Sequence, residues 1–354
     1  MIKGRKSLLL LIVGLLVVGG AWLMWHPTKK EQSSSRIQVV ETAERMVSST
    51  PSQDPKPARR YRIGVLFPFL ASPFWVNEAY GVIDQANKLG VDVVWLSADG
   101  YDNIDKQNSQ MEDLVARGAD AILIAATSST GTGPTVDRAV AAGVPVFAHV
   151  TSSISRNVSS AILDDDLAIG RMQADYMGRA LQGRGYVAML SGPAAAEWST
   201  LRAKGFKEIM AQKFPGIRIV AERFGIPDRA DAQRLTEDLL TANKRLDGLF
   251  TVADGMAMGA VDALRQADRL DRTTVTTASF SRETVPHLRA GDIDLNVDEN
   301  PVLIGRVAIN TVVRALNGTP VPRTIFVPNP PITAATLERI DSTKQWAPPD
   351  WRLR

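Results

Sequence analysis

The chain has 354 residues, 45% of them apolar, and no cysteine, so it can bury a large core without disulfides, and its length suits about two domains. Its 41 basic and 38 acidic residues leave a formal charge of +3 and are interspersed, which excludes a basic face built for nucleic acid.

Lys3, Arg5 and Lys6 precede Ser7 to Trp25, a run of 19 residues without a charge. That is about the length that spans a bilayer at 1.5 Å per residue. Trp22 and Trp25, followed by His26, Lys29 and Lys30, fit an interfacial belt. Residues 1–25 therefore read as an uncleaved inner-membrane anchor or a cleaved signal, with a buried helix as the bland alternative. Val18-Gly19-Gly20-Ala21 is a poor cleavage site. Either leading reading exports the rest of the chain. Residues 26–61, rich in Ser, Thr, Pro, Gln and charge, read as a flexible linker.

From residue 62 short β-branched runs alternate with helical stretches. Strands are expected at 62–67, 91–96, 120–126, 144–149 and 158–163, and helices at 74–89, 104–117 and 134–142. Gly90, Gly118 and Gly143 each follow a helix, as C-terminal caps do. After Asp164-Asp165-Asp166 a helix at 167–181 opens a second series. Its strands fall at 185–190, 217–224, 247–252, 273–280 and 292–297, and its helices at 198–213, 229–243, 255–266 and 282–289. This alternation predicts an α/β fold of two Rossmann-like lobes with parallel sheets, joined by several hinge crossings. Residues 62–163 with 300–318 are assigned to the N-terminal lobe, and 164–299 with 319–354 to the C-terminal lobe. The proline-rich end (Pro328, Pro330, Pro331, Pro348, Pro349) reads as a tail on the second lobe.

A set of segments, in this order and spacing, resembles one family. They are Ser72-Pro73-Phe74-Trp75 after strand one, Gln107 to Met111, Gly118-Ala119-Asp120-Ala121-Ile122 and Ala142-Gly143-Val144-Pro145-Val146. The second half adds Arg202-Ala203-Lys204-Gly205-Phe206, Ala253 to Ala260 and Glu299-Asn300-Pro301-Val302-Leu303-Ile304-Gly305. Over residues 62–327 the chain resembles type I periplasmic binding proteins, the superfamily of the ribose and galactose receptors. Phe74 to Gly81, Ser97 to Tyr101 and Ala278-Ser279-Phe280-Ser281 further resemble the TorT-like partners of membrane sensor kinases. The resemblance implies a periplasmic binding protein that signals to the periplasmic domain of a histidine kinase; the alternative is the substrate-binding protein of an ABC permease. Two departures stand out: His149-Val150-Thr151 and Ser279-Phe280-Ser281 occupy places where sugar receptors carry an acid, and Asp164 stands where TorT-like chains carry an aromatic.

Nine residues are candidates for the cleft. Trp75 and Tyr101 lie at carboxyl ends of strands, where open α/β sheets bind ligands. Asp164 and Asp165 lie at a crossing, Glu197, Trp198, Arg202 and Asp254 in the second lobe, and Glu299 at the return. Rings with carboxylates and few cations favour an amine, amine-oxide-like or zwitterionic small molecule. Each has a bland reading beside this one. Trp75 can be core and Tyr101 part of a turn; Asp165 and Asp254 can be helix caps. Arg202 can be a structural ion pair, and Glu197 and Trp198 can belong to a mobile loop. No metal, cofactor or catalysis is expected: the three histidines are scattered, Gly131-Thr132-Gly133-Pro134-Thr135 lacks a phosphate-loop lysine, and Ser191-Gly192-Pro193 is no nucleophile elbow. A cytoplasmic regulator would need a helix-turn-helix where the apolar run stands.

Overall fold

The structure, a computed structural model, describes residues 39–40, 46–47, 54–194 and 196–353. The apolar run 7–25 and most of the linker lie outside the described residues. Among the described residues no helix is long and apolar enough to cross a membrane.

Lobe one begins with β1 (Arg62–Phe67), whose last five residues are all buried, as a strand covered on both faces requires. It leads to α1 (Pro73–Leu89), opened by the Ser72 side chain accepting from the Trp75 N–H at 3.4 Å and by Pro73 in the first turn. There follow β2 (Asp92–Ser97), α2 (Ile104–Ala116), β3 (Ala121–Ile124), α3 (Gly133–Ala141), β4 (Val146–His149) and β5 (Ser160–Leu163). Lobe two repeats the plan with α4 (Asp166–Ala180), β6 (Arg184–Leu190), α5 (Glu197–Lys213), β7 (Gly216–Arg223) and α6 (Arg229–Ala242). It continues through β8 (Gly248–Thr251), α7 (Asp254–Gln266), β9 (Thr274–Ala278), α8 (Thr284–Ala290) and β10 (Leu295–Val297). Then come α9 (Pro301–Leu316), β11 (Thr324–Phe326) and β12 (Pro331–Ile332).

The sheet of lobe one runs in the order β2-β1-β3-β4-β5-β11, all parallel, with Met46–Val47 paired outside β11. The sheet of lobe two runs β7-β6-β8-β9-β10-β12, parallel except for β12. In both, the order reverses between the first and third strands, so each lobe offers a crevice at its strand ends. The lobes also share a packing device. A Cβ on Gly81 would sit 2.2 Å from the Val302 carbonyl oxygen, and one on Gly170 would sit 1.9 Å from that of Arg202. Only glycine lets α1 approach α9, and α4 approach α5, this closely.

The chain passes between lobes after Leu163, after Val297 and between Phe326 and Pro331. The crossings are tied together. Asn329 donates to Asp164 Oδ1 at 2.6 Å and to the Asp298 carbonyl at 3.2 Å, while the Asp165 N–H donates to Asn329 Oδ1 at 3.2 Å. Asn300, in the left-handed region at φ 50°, donates its side-chain amide to the Pro328 carbonyl at 2.6 Å.

Two sequence assignments need correction here. Residues 319–354 were expected in the second lobe, yet β11 pairs with β5 in the first sheet, because Val321, Ile325 and Val327 bury in that lobe's core. The tail likewise does not stay on lobe two. Trp346 packs there, but Trp351 and Leu353 pack on lobe one. Short apolar runs punctuated by proline carry no local mark of the sheet they join.

Candidate ligand-binding cleft

Between the strand ends of the two lobes lies a cavity of about 310 Å³. That volume is in the range of small-molecule sites.

One wall comes from the turn after β1 and the start of α1, and it is aromatic. Trp75 is 3% exposed and is set edge to face against Phe74 at 5.2 Å, Phe67 at 6.3 Å, Phe69 at 6.4 Å and His149 at 6.5 Å. Phe69 in turn meets Tyr101 at 5.3 Å. Tyr101 keeps 40% of its surface exposed, but burial of its hydroxyl, with the charge of Glu299, pushes its pKa up to about 12 against the opposing hydrogen bond of Trp75. Behind this wall the buried His149 Nδ1 and Glu78 Oε1 lie 2.8 Å apart, joining β4 to α1.

The opposite wall is ionic. Arg202, in the second turn of α5, donates to Asp166 Oδ1 at 2.8 Å, to Glu299, and to the Val252 carbonyl at 3.0 Å. Its guanidinium also stands 5.1 Å from the Trp198 ring centre. Ser279 donates to the other oxygen of Glu299. Burial opposes the charge on Arg202, yet Glu299 and Asp166 hold its pKa above the ordinary value. Burial pushes Asp166 up to about 6 against the pull of Arg202. Asp164 is raised well above the usual carboxylate range by burial and by the charges of Glu299 and Asp166. Asp254 is also raised by burial, to about 6, although Ser281 and the Gly255 N–H partly stabilise its charge.

The fourth strands of both lobes end alike. Val150 follows β4 at φ 60° and Ser279 follows β9 at φ 68°, both in the left-handed region, and both line the cavity. Their N–H groups donate to the neighbouring strands, at Ile162 (2.9 Å) and Val297 (3.1 Å). A β-branched residue at positive φ is strained, and such strain concentrates at ligand sites.

Of the nine sequence candidates, Trp75, Tyr101, Asp164, Trp198, Arg202, Asp254 and Glu299 line this cavity. Asp165 and Glu197 do not. Asp165 caps α4, accepting from the Ala168 N–H at 2.9 Å. Glu197, the first residue of α5, accepts from the Ser152 hydroxyl of lobe one at 2.8 Å and so links the two rims. Asp166, Phe69, Phe74 and Asn77, which are not among the nine, line the cavity as well. Phe74 stands inside the motif that drew notice to Trp75, and Phe69 three residues before it, a signal that was present. Asp166 was hidden by its neighbours, since three consecutive acids at a helix start do not reveal which one caps and which turns inward.

The comparisons agree with this architecture. The family described as periplasmic binding protein domain matches residues 63–320. The chain is 28% identical over 286 residues to the ribose import binding protein RbsB of Bacillus subtilis, covering 79% of this chain and 92% of that one. It is 28% identical over 209 residues to the xylitol-binding protein of Mycolicibacterium smegmatis, covering 59% of each. A solved structure from Bordetella parapertussis, the substrate-binding protein of a sugar ABC transport system, superposes with a TM-score of 0.78 at 24% identity, covering 84% of this chain and 97% of that one. With two like-ordered sheets closing on one cavity and the family match running across both, the chain belongs to the periplasmic binding protein family.

Proposed function

We propose that this protein is the substrate-binding component of an ABC importer for a small polyhydroxylated solute of the sugar or polyol kind. The observation that carries the reading is the pairing of an aromatic wall with a hydrogen-bonding wall across one cavity. A sugar-like molecule has apolar C–H faces that suit Trp75 and Phe69, and hydroxyls that suit Asp164, Asp254, Glu299 and Arg202. The relatives named for ribose import and for xylitol support the same class. The acids that sugar receptors carry after the fourth strands are absent, but Asp166 and Asp254 supply acceptors from helix starts instead. In this reading the protein works in the periplasm, residues 7–25 hold it to the inner membrane or direct its export, and an ABC permease is its partner.

Titration calorimetry and thermal shift with D-ribose, D-arabinose and xylitol test the assignment. A ligand present at a hundred times its Kd is expected to add about 2.7 kcal/mol of stability. Absence of any response across the polyols, with a response to simple amines, would sink it.

A second reading is favoured by the charge imbalance of the cleft. Asp164, Asp166, Asp254 and Glu299 face it with the single guanidinium of Arg202, among the described residues that line it. An amine or zwitterionic solute, or a polyol carrying an ammonium, would complete that balance. Sensing through a histidine kinase is the matching alternative role. Gene deletion separates the roles: lost solute uptake supports import, and lost induction of transcripts with uptake intact supports sensing.

A further inference from the structure

Two tryptophans, Trp346 and Trp351, pack against different lobes. Trp346 is 7% exposed and lies in the core of lobe two, its ring 5.2 Å from that of Phe280. Its indole N–H donates to the Phe280 carbonyl at 3.3 Å, and the Arg282 guanidinium covers the ring at 4.8 Å. Trp351 lies edge to face with Tyr80 of α1 at 5.4 Å and packs with Leu353 against the core of lobe one.

Ala347, between them, is held by both lobes at once. Its carbonyl accepts from Arg282 at 3.0 Å, and its N–H donates to Asn77 Oδ1 at 2.8 Å. Phe280 and Asn77 both line the cavity, one from each lobe. The connection therefore runs along the cleft itself, apart from the three crossings tied by Asn329 and Asn300.

Its mechanics follow from its length. Trp351 follows Trp346 by five positions, a span that at full extension reaches about 18 Å at most. Pro348-Pro349 in the middle remove most of the slack. The lobes cannot swing apart by a large angle unless one anchor lets go. Trp346 is the deeper anchor, while Trp351 is only half-buried and followed by the exposed Arg352, so release begins at the Trp351 end.

We propose that residues 346–353 form a strap that ties the lobes along the cleft and holds the cavity near its closed form, so that opening requires Trp351 to leave Tyr80.

The test needs no ligand, which keeps its failure separate from a failure of the solute assignment. Because the chain has no cysteine, Glu112→Cys on α2 and Glu237→Cys on α6, both exposed, give two unique labelling sites, one per lobe. Pulsed dipolar spectroscopy on the spin-labelled full chain is expected to show one narrow inter-lobe distance distribution. Truncation after Gln345 is expected to broaden it and shift its mean by several ångström, with far-UV circular dichroism reporting that both lobes remain folded. Asn77→Ala, which cuts only one bond of the strap, is expected to broaden it less. A distribution unchanged by truncation would overturn the proposal. Should the truncated chain not fold, Trp351→Ala decides in the same way: a broader distribution upholds the strap and an unchanged one removes it.

Discussion

Lobe one faces the cleft with rings that brace one another, whereas lobe two and the crossings face it with charges that exist there only because they pair. Trp75 keeps its place through packing among the rings of Phe67, Phe69, Phe74 and His149. Arg202, Asp166 and Glu299 are each costly to bury alone and tolerable together. The first wall supplies contact area. The second supplies direction, and its character depends on where protons sit.

The largest effect is expected on the ionic side. Arg202→Met removes the cation that Asp166 and Glu299 share, and urea unfolding should show a loss of about 3–5 kcal/mol. Stability close to that of the parent would mean the wall is not a coupled network. On the aromatic side, Trp75→Leu should cost about 2–3 kcal/mol through the space left among its neighbours. That loss should be the same at pH 5 and pH 8, and a strong pH dependence would erase the contrast between the walls.

The pH profile sharpens the comparison further. Burial raises Asp166 and Asp254 to about 6 and Asp298 to about 7, from an ordinary 3.8. A carboxyl whose pKa is higher folded than unfolded binds more protons when folded, so stability falls as pH rises between the two values. The window runs from near pH 4 to near pH 7. Thermal unfolding is thus expected at a higher Tm at pH 5 than at pH 8. Asp298→Asn, which keeps the acceptor that holds the Asn300 N–H at 2.9 Å, should flatten the profile. A Tm that climbs from pH 5 to pH 8 would contradict the assignment. The smallest effect is at the rim: Glu197→Gln should change stability by about 0.5 kcal/mol or less in the same denaturation assay, since its bond to Ser152 is exposed.

Much of this fold was legible in advance. The helix expected at 255–266 is observed over Asp254–Gln266, and the strand expected at 62–67 over Arg62–Phe67. Asp165 was readable as a cap because its side chain needs only a neighbour three residues on. Trp75 was readable as lining the crevice because strand ends in open sheets converge. Asp166 was not. Successive residues of a helix point about 100° apart, so which acid meets Arg202 depends on how α4 lies against α5. Nor was the fate of the last thirty-odd residues readable, for proline-rich stretches lack a period that would betray their partner.

The amino-acid order by itself determined the alternation of strands and helices, the caps and the identity of the aromatic corner, because these rest on contacts between residues a few positions apart. Tertiary structure alone decided which acids share one guanidinium, that β11 joins the first sheet, and that Trp346 and Trp351 end in separate cores. Those outcomes depend on pairs such as Arg202 with Glu299 and Ala347 with Asn77, distant along the chain, whose meeting is set by how whole helices and sheets pack.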